Sequence, residues 1–115
     1  MAEVVEKISG IERRVKAMVP IASFQNEITQ RLQQILKTAR FKGYRPGKVP
    51  MKIVEQQHGG DVRGEIYSKA IESKFGEIVQ ENNLRVAGMP DIRHEPLDKV
   101  NADFEFTATF EVFPE

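Results

Sequence analysis

Arg40 to Lys52 reads RFKGYRPGKVPMK, with five Arg or Lys in thirteen residues and no acid. Such a stretch suits binding better than bond making. Arg45 can present a planar guanidinium to a carboxylate or a phosphate in a two-pronged bond. Lys42 and Lys48 add point charges. Tyr44 or Phe41 offers a ring that stacks or packs against a partner. Tyr and Arg are also the types enriched at the centres of protein interfaces. For Tyr44 a second reading stands beside this one: a side chain folded back onto the helices beneath. Gly43 and Gly47 open backbone angles closed to other residues, and Pro46 stiffens the turn between them. The run Gly43 to Lys48 is not a nucleotide-binding phosphate loop. Its glycine spacing is one residue short, Val49 stands where a magnesium-binding Ser or Thr is needed, and a helix precedes it instead of a strand.

Nothing else in the chain points to catalysis. There is no cysteine, so thiol nucleophiles, thiolate metal sites and disulfides are excluded. The two histidines, His58 and His94, lack the serine and carboxylate spacing of a nucleophilic triad. His58 reads as a surface residue near a helix end, and His94 as a polar residue at a strand end. Glu55-x-x-His58 has the spacing of half a carboxylate-bridged di-metal site, but the second copy and the further glutamates are missing. We therefore expect no catalytic residue, no metal and no cofactor.

The 115 residues suit a single domain over 1–115. No apolar run approaches a membrane span, and MAEVVEKISG lacks the basic start and apolar middle of a signal peptide. Absence of cysteine fits a reducing, cytoplasmic setting. The chain closes on FEVFPE just after a strand-like run, which suggests a fragment of a longer protein. A formal net charge of zero conceals strong polarity. Residues 28–54 hold seven of the seventeen bases (Arg31, Lys37, Arg40, Lys42, Arg45, Lys48, Lys52) and none of the seventeen acids. The rest of the chain is correspondingly acidic, and such a field orients encounters with a charged partner.

The elements that must position this loop follow from periodicity. EVVEKI and IERRVKAMV flank Ser9-Gly10 and suggest a tight hairpin. Ser23 is a candidate N-cap for a helix to about Arg40, with Phe24, Ile28, Leu32, Ile35, Leu36 and Ala39 as its apolar stripe. Pro50 opens a short helix that Gly59 would stop, with Met51, Ile53 and Val54 as buried candidates. Asp61 would then cap a longer helix to about Asn82, with Val62, Ile66, Ala70, Ile71, Phe75, Ile78 and Val79 facing inward. LRVAGMPDIRHEP reads as a strand bulged near Gly88-Pro90 or lying at an edge. Phe104 to Val112 alternates strictly and is a half-buried strand. Strands at both ends with helices between predict an α+β fold: a four-stranded antiparallel sheet, made of the N-terminal hairpin and two C-terminal strands, covered by the helices, with the basic loop projecting between them.

GYRPGKVP, Gly43 to Pro50, resembles the signature loop of the trigger factor family of ribosome-associated chaperones, Gly-Phe-Arg-x-Gly-Lys-x-Pro. Arg13-Arg14, the Pro-Met-x-Ile-Val helix start, AGMP and the closing FEVFPE are similar to that family's N-terminal domain, in order and over essentially the whole chain. The resemblance implies a domain that docks at the polypeptide exit of the large ribosomal subunit, on a protein beside the tunnel and nearby ribosomal RNA, to assist nascent or unfolded chains. It implies ribosome contact by Gly43, Tyr44, Arg45, Pro46, Gly47 and Lys48, with Lys37, Arg40, Lys42 and Lys52 as a supporting patch. Tyr44 stands where the family has Phe. Pro46 stands where some members have Lys, which removes a charge and a backbone donor. Full-length members carry a separate peptidyl-prolyl isomerase domain, so no isomerase activity is expected of these residues; members also self-associate. Met18, Met51, Met89 and Phe113 are candidate contacts for unfolded chains, although core burial is expected for most of them. The alternative reading is a free-standing RNA-binding module that uses the same loop.

Overall fold

The computed structural model describes residues 4–8 and 10–113. Four strands, β1 (Val4–Lys7), β2 (Glu12–Val19), β3 (Val86–His94) and β4 (Phe104–Val112), enclose two helices, α1 (Gln25–Thr38) and α2 (Met51–Glu81), in the chain. The strands form one antiparallel sheet, as expected from the pattern, and the structure adds their order, β1-β2-β4-β3. The first hairpin is closed by Ile8 N–H donating to the Glu12 carbonyl at 2.9 Å; Ser9, where a tight turn was expected, lies outside the described residues.

The alternation in β2 and β4 becomes one apolar layer because their register pairs Val15 with Ala108, Ala17 with Phe106 and Val19 with Phe104. All six are buried. β3 lies at the sheet edge and carries the expected irregularity: its register shifts between Ala87 and Asp91, with Gly88 at φ +76°. A bulge needs the angle that Gly supplies.

The two expected helices after Pro50 are one. α2 runs 31 residues without interruption through Gly59-Gly60, and Asp61 is an exposed residue inside it, not a cap. Tertiary contacts outweigh the low propensity of the glycines. A Cβ on Gly60 would stand 3.2 Å from Asp98 Cβ, so glycine lets the short 3-10 turn Leu97–Lys99 approach closely. Arg63 Nε donates to the Asp98 carbonyl at 2.8 Å, and the Arg63 guanidinium also pairs with Glu55 across the glycine pair. The start of α1 also differs from expectation. Ser23 does not cap; it lies in a 3-10 turn, Ile21–Phe24, whose first amide donates to the Asp103 carboxylate at 3.0 Å. The cap comes from a residue 82 positions away. α1 ends at Thr38, two residues before Arg40.

Tyr67, absent from the expected inner stripe, is fully buried. It meets Phe24 and Phe104 edge to face at centroid distances of 6.0 and 5.4 Å, and its hydroxyl accepts a bond from Gln25 Nε2 at 3.2 Å. It joins α1, α2 and the sheet at one point. Phe75 meets Phe110 further along at 5.2 Å. The C-terminal part of α2 therefore lies on the sheet, while its first turns extend past it beside α1. The molecule is elongated, 61 × 25 × 20 Å.

Gly76, unlike Gly60, has open space where a Cβ would go. In a continuous helix Gly76→Ala should stabilise the protein by roughly 0.5–1 kcal/mol, while Gly60→Ala should gain less or lose stability against Asp98. Urea unfolding of the two variants checks this.

Candidate functional site: the loop between the helices

The site is the connection from Ala39 to Pro50. Two apolar side chains pin its ends. Phe41 and Val49 are buried, and Phe41 meets the ring of His58 edge to face at 5.5 Å. This corrects two expectations. Phe41 anchors the loop and is not free to stack on a partner. His58 is a half-buried residue in the body of α2, not a surface residue near a helix end. His94 does end its strand, with Nδ1 2.7 Å from the Glu95 carbonyl. Glu55 is engaged by Arg63 rather than grouped with His58.

Between the anchors, every residue from Lys42 to Lys48 is exposed. Two tight turns set their path. Tyr44 N–H donates to the Phe41 carbonyl at 3.1 Å, and Lys48 N–H to the Arg45 carbonyl at 2.9 Å. The third residue of each turn is a glycine with positive φ: Gly43 at +86° and Gly47 at +81°. Positive φ at that position alone is the mark of a type II turn, which favours Gly there and Pro immediately before it. Pro46-Gly47 fits this pattern. A third bond ties the tip to the helix: Gly47 N–H donates to the Leu36 carbonyl at 3.2 Å. Leu36 lies in the last turn of α1, where carbonyls lack helical partners. The Ile35 carbonyl before it is met locally, by the N–H of the C-cap residue Ala39 at 2.8 Å.

The structure places all the expected site residues at one end of the molecule. Gly43 to Lys48 form the tip. Lys42 and Arg40 lie in the connection, Lys37 in the last turn of α1 and Lys52 in the first turn of α2, all exposed. Among the described residues, no side-chain hydrogen bond or ion pair engages Lys37, Arg40, Lys42, Arg45, Lys48 or Lys52. Arg31, the seventh base of the acid-free stretch, is different: it bonds Glu65 Oε2 at 2.6 Å and belongs to the α1–α2 contact. Tyr44 keeps 43% of its surface exposed, so it is not folded away onto the helices. Met51, expected inside, is 38% exposed at the same end. From Met51 to Tyr67, the first ring of α2 stacked on the sheet, the helix rises about 24 Å.

A profile of the family described as Bacterial trigger factor protein (TF) matches residues 1–115. The chain belongs to the trigger factor family. Among its relatives, the trigger factor of Methylobacillus flagellatus is 45% identical over all of this chain and 26% of its own length. That of Nitrosospira multiformis is 45% identical over 96% of this chain and 26% of its own length. That of Burkholderia cenocepacia is 46% identical over all of this chain and 25% of its own length. The chain thus spans about a quarter of the length of the trigger factors it matches. No helix among the described residues is long and apolar enough to cross a membrane.

The Arg31 guanidinium, first by its hydrogen bond and then by its charge, holds the Glu65 carboxyl below its ordinary range, with Lys69 Nζ 3.6 Å away adding to the effect. A carboxyl lowered on folding contributes stability at neutral pH, and that contribution is lost as pH falls through the lowered value. Glu65→Gln should therefore lower the unfolding midpoint at pH 7, and the gap from the parent protein should close on acidification. Thermal unfolding followed from pH 7 to pH 3 reads this directly.

Proposed function

We propose that this chain is the ribosome-docking unit of a trigger factor chaperone, anchored by its loop tip at the polypeptide exit of the large subunit, where the chaperone assists nascent chains in the cytoplasm. The observation that carries the reading is the tip itself. Seven exposed residues, three of them basic, are shaped by two glycine turns and flanked by three further unengaged bases, Lys37, Arg40 and Lys52, in an acid-free stretch of the chain. A projecting cationic tip suits a surface rich in phosphate and carboxylate, and Arg45 is the residue equipped for a two-pronged bond. The supporting charges at Lys37, Arg40, Lys42 and Lys52 raise the encounter rate.

Contact with unfolded chains would draw on apolar surface elsewhere. Met89 is 94% and Phe113 58% exposed, against the expectation that most such residues would be buried. A groove of about 500 Å³, walled by Met18, Phe24 and Ile66 together with the charged Glu27, Lys69, Lys74 and Glu77, adds a second, partly apolar surface. Unbranched methionine adapts to varied side chains. Isomerase chemistry in full-length members would belong to residues outside this chain.

Co-sedimentation with large ribosomal subunits tests the reading. Arg45→Ala should weaken binding by roughly 10- to 100-fold, as expected for loss of a charge-assisted bond worth about 1.5–3 kcal/mol. Undiminished binding after replacing Tyr44, Arg45 and Lys48 together with Ala would sink the loop assignment. Equal affinity for naked ribosomal RNA, with a steep salt slope, would favour the free RNA-binding module instead.

A further inference from the structure

Pro46 stands uncharged between the bases Arg45 and Lys48 of the loop tip. By charge alone it adds nothing to a cationic tip. The geometry gives Pro46 another part. It is the second residue of the Arg45–Lys48 turn, closed by the Lys48 N–H bond to the Arg45 carbonyl at 2.9 Å. The N–H that proline lacks is not the one that closes such a turn. Its ring fixes φ near the value the second position needs. Proline also biases the residue before it, here Arg45, toward extended backbone. Gly47 then takes φ +81° and donates its own N–H to Leu36 at the end of α1, 3.2 Å away. Arg45, Pro46 and Gly47 are thus restrained in succession, and the turn is tied to a helix.

We propose that Pro46 is a positioning residue, which holds the Arg45–Lys48 turn closed in the unbound protein and so preorganises Arg45 for its partner. The affinity claim rests on the ribosome-docking reading; the claim about the turn does not. An ordered loop loses less conformational freedom on binding, and only the surplus over that loss appears as affinity.

Two substitutions separate order from charge. Pro46→Ala removes the ring and adds no charge; Pro46→Lys removes the ring and adds one. In the free chain, NMR order parameters of the Gly47 and Lys48 amides should fall in both variants from the rigid range near ~0.85 toward ~0.6, with the rest of the amide spectrum unchanged. In co-sedimentation with large ribosomal subunits across a salt series, Pro46→Ala should bind roughly two- to fivefold more weakly with an unchanged salt slope. Pro46→Lys should steepen that slope by about 0.7–0.9, the signature of one more phosphate contact. Order parameters unchanged in Pro46→Ala would overturn the proposal without reference to the ribosome. A loosened turn with unchanged affinity would overturn its second half. If the parent chain fails to bind subunits at all, the docking reading and the affinity claim fall together, while the order parameters still decide whether Pro46 holds the turn.

Discussion

The rest of the structure depends on α2 running unbroken through Gly59-Gly60. Each glycine costs up to about 1 kcal/mol relative to Ala in a helix interior, and two in succession would ordinarily end the element. Here the glycine pair is bridged from both sides. Val54 and Val62 are buried before and after it. The Glu55–Arg63 pair spans it, and Arg63 also bonds the Asp98 carbonyl. Gly60 itself makes room for the turn at Asp98. The small side chain that weakens the helix locally is what lets the structure brace it. A break at this point would leave α1 and the loop joined to the sheet by a hinge; the continuous helix makes them one lever.

That lever separates charge. At physiological salt the screening length is about 8 Å, well under the roughly 24 Å of helix between Met51 and Tyr67. The acidic residues near the sheet therefore do little to cancel the field at the tip. Closer acids are partly accounted for by arginines: Glu55 faces Arg63, and Glu65 faces Arg31. Arg31 shows how a base in an acid-free stretch of sequence can still be spent on structure. It lies in the same run as the loop's cations, yet its partner comes from the neighbouring helix. The six bases beyond it, from Lys37 to Lys52, remain available to a partner.

The four strands, the irregularity of β3 and the alternation of β4 were legible in the sequence because each leaves a local pattern, whereas the pairing of β2 with β4, which sets the sheet order, joins residues some ninety positions apart. The α1 stripe was legible for the same reason. What escaped came from contacts between residues distant in the chain. Asp103 caps the turn at Ile21, a partnership no local window reveals. Gly59-Gly60 reads locally as a stop, and only Asp98 and Arg63 make it a close-packed passage. Tyr67 was overlooked because its hydroxyl marks it as amphipathic, although its place four residues before Ile71 and one after Ile66 puts it on the inner face. His58 was misplaced as a consequence of the false helix end. The acid-free, glycine- and proline-bearing character of the candidate loop was legible in the sequence, but the distinction between Phe41 as anchor and Tyr44 as exposed ring required the fold.

The tip raises a last physical question: how a chain segment with seven exposed residues keeps one shape without a core of its own. Phe41 and Val49 bury its two ends, so the free span is short and closing it costs little entropy. Within the span, two turns satisfy their own closing bonds, and the glycines adopt angles that would strain other residues. The Gly47 amide then meets the Leu36 carbonyl at the open end of α1, so one bond serves both helix and loop. Terminating the helix and shaping the tip are therefore one event. This explains why glycines sit at the two positions flanking Tyr44, Arg45 and Pro46. The shape is carried by backbone bonds, the glycines and the Pro46 ring, so the Tyr44 and Arg45 side chains are left open to a partner.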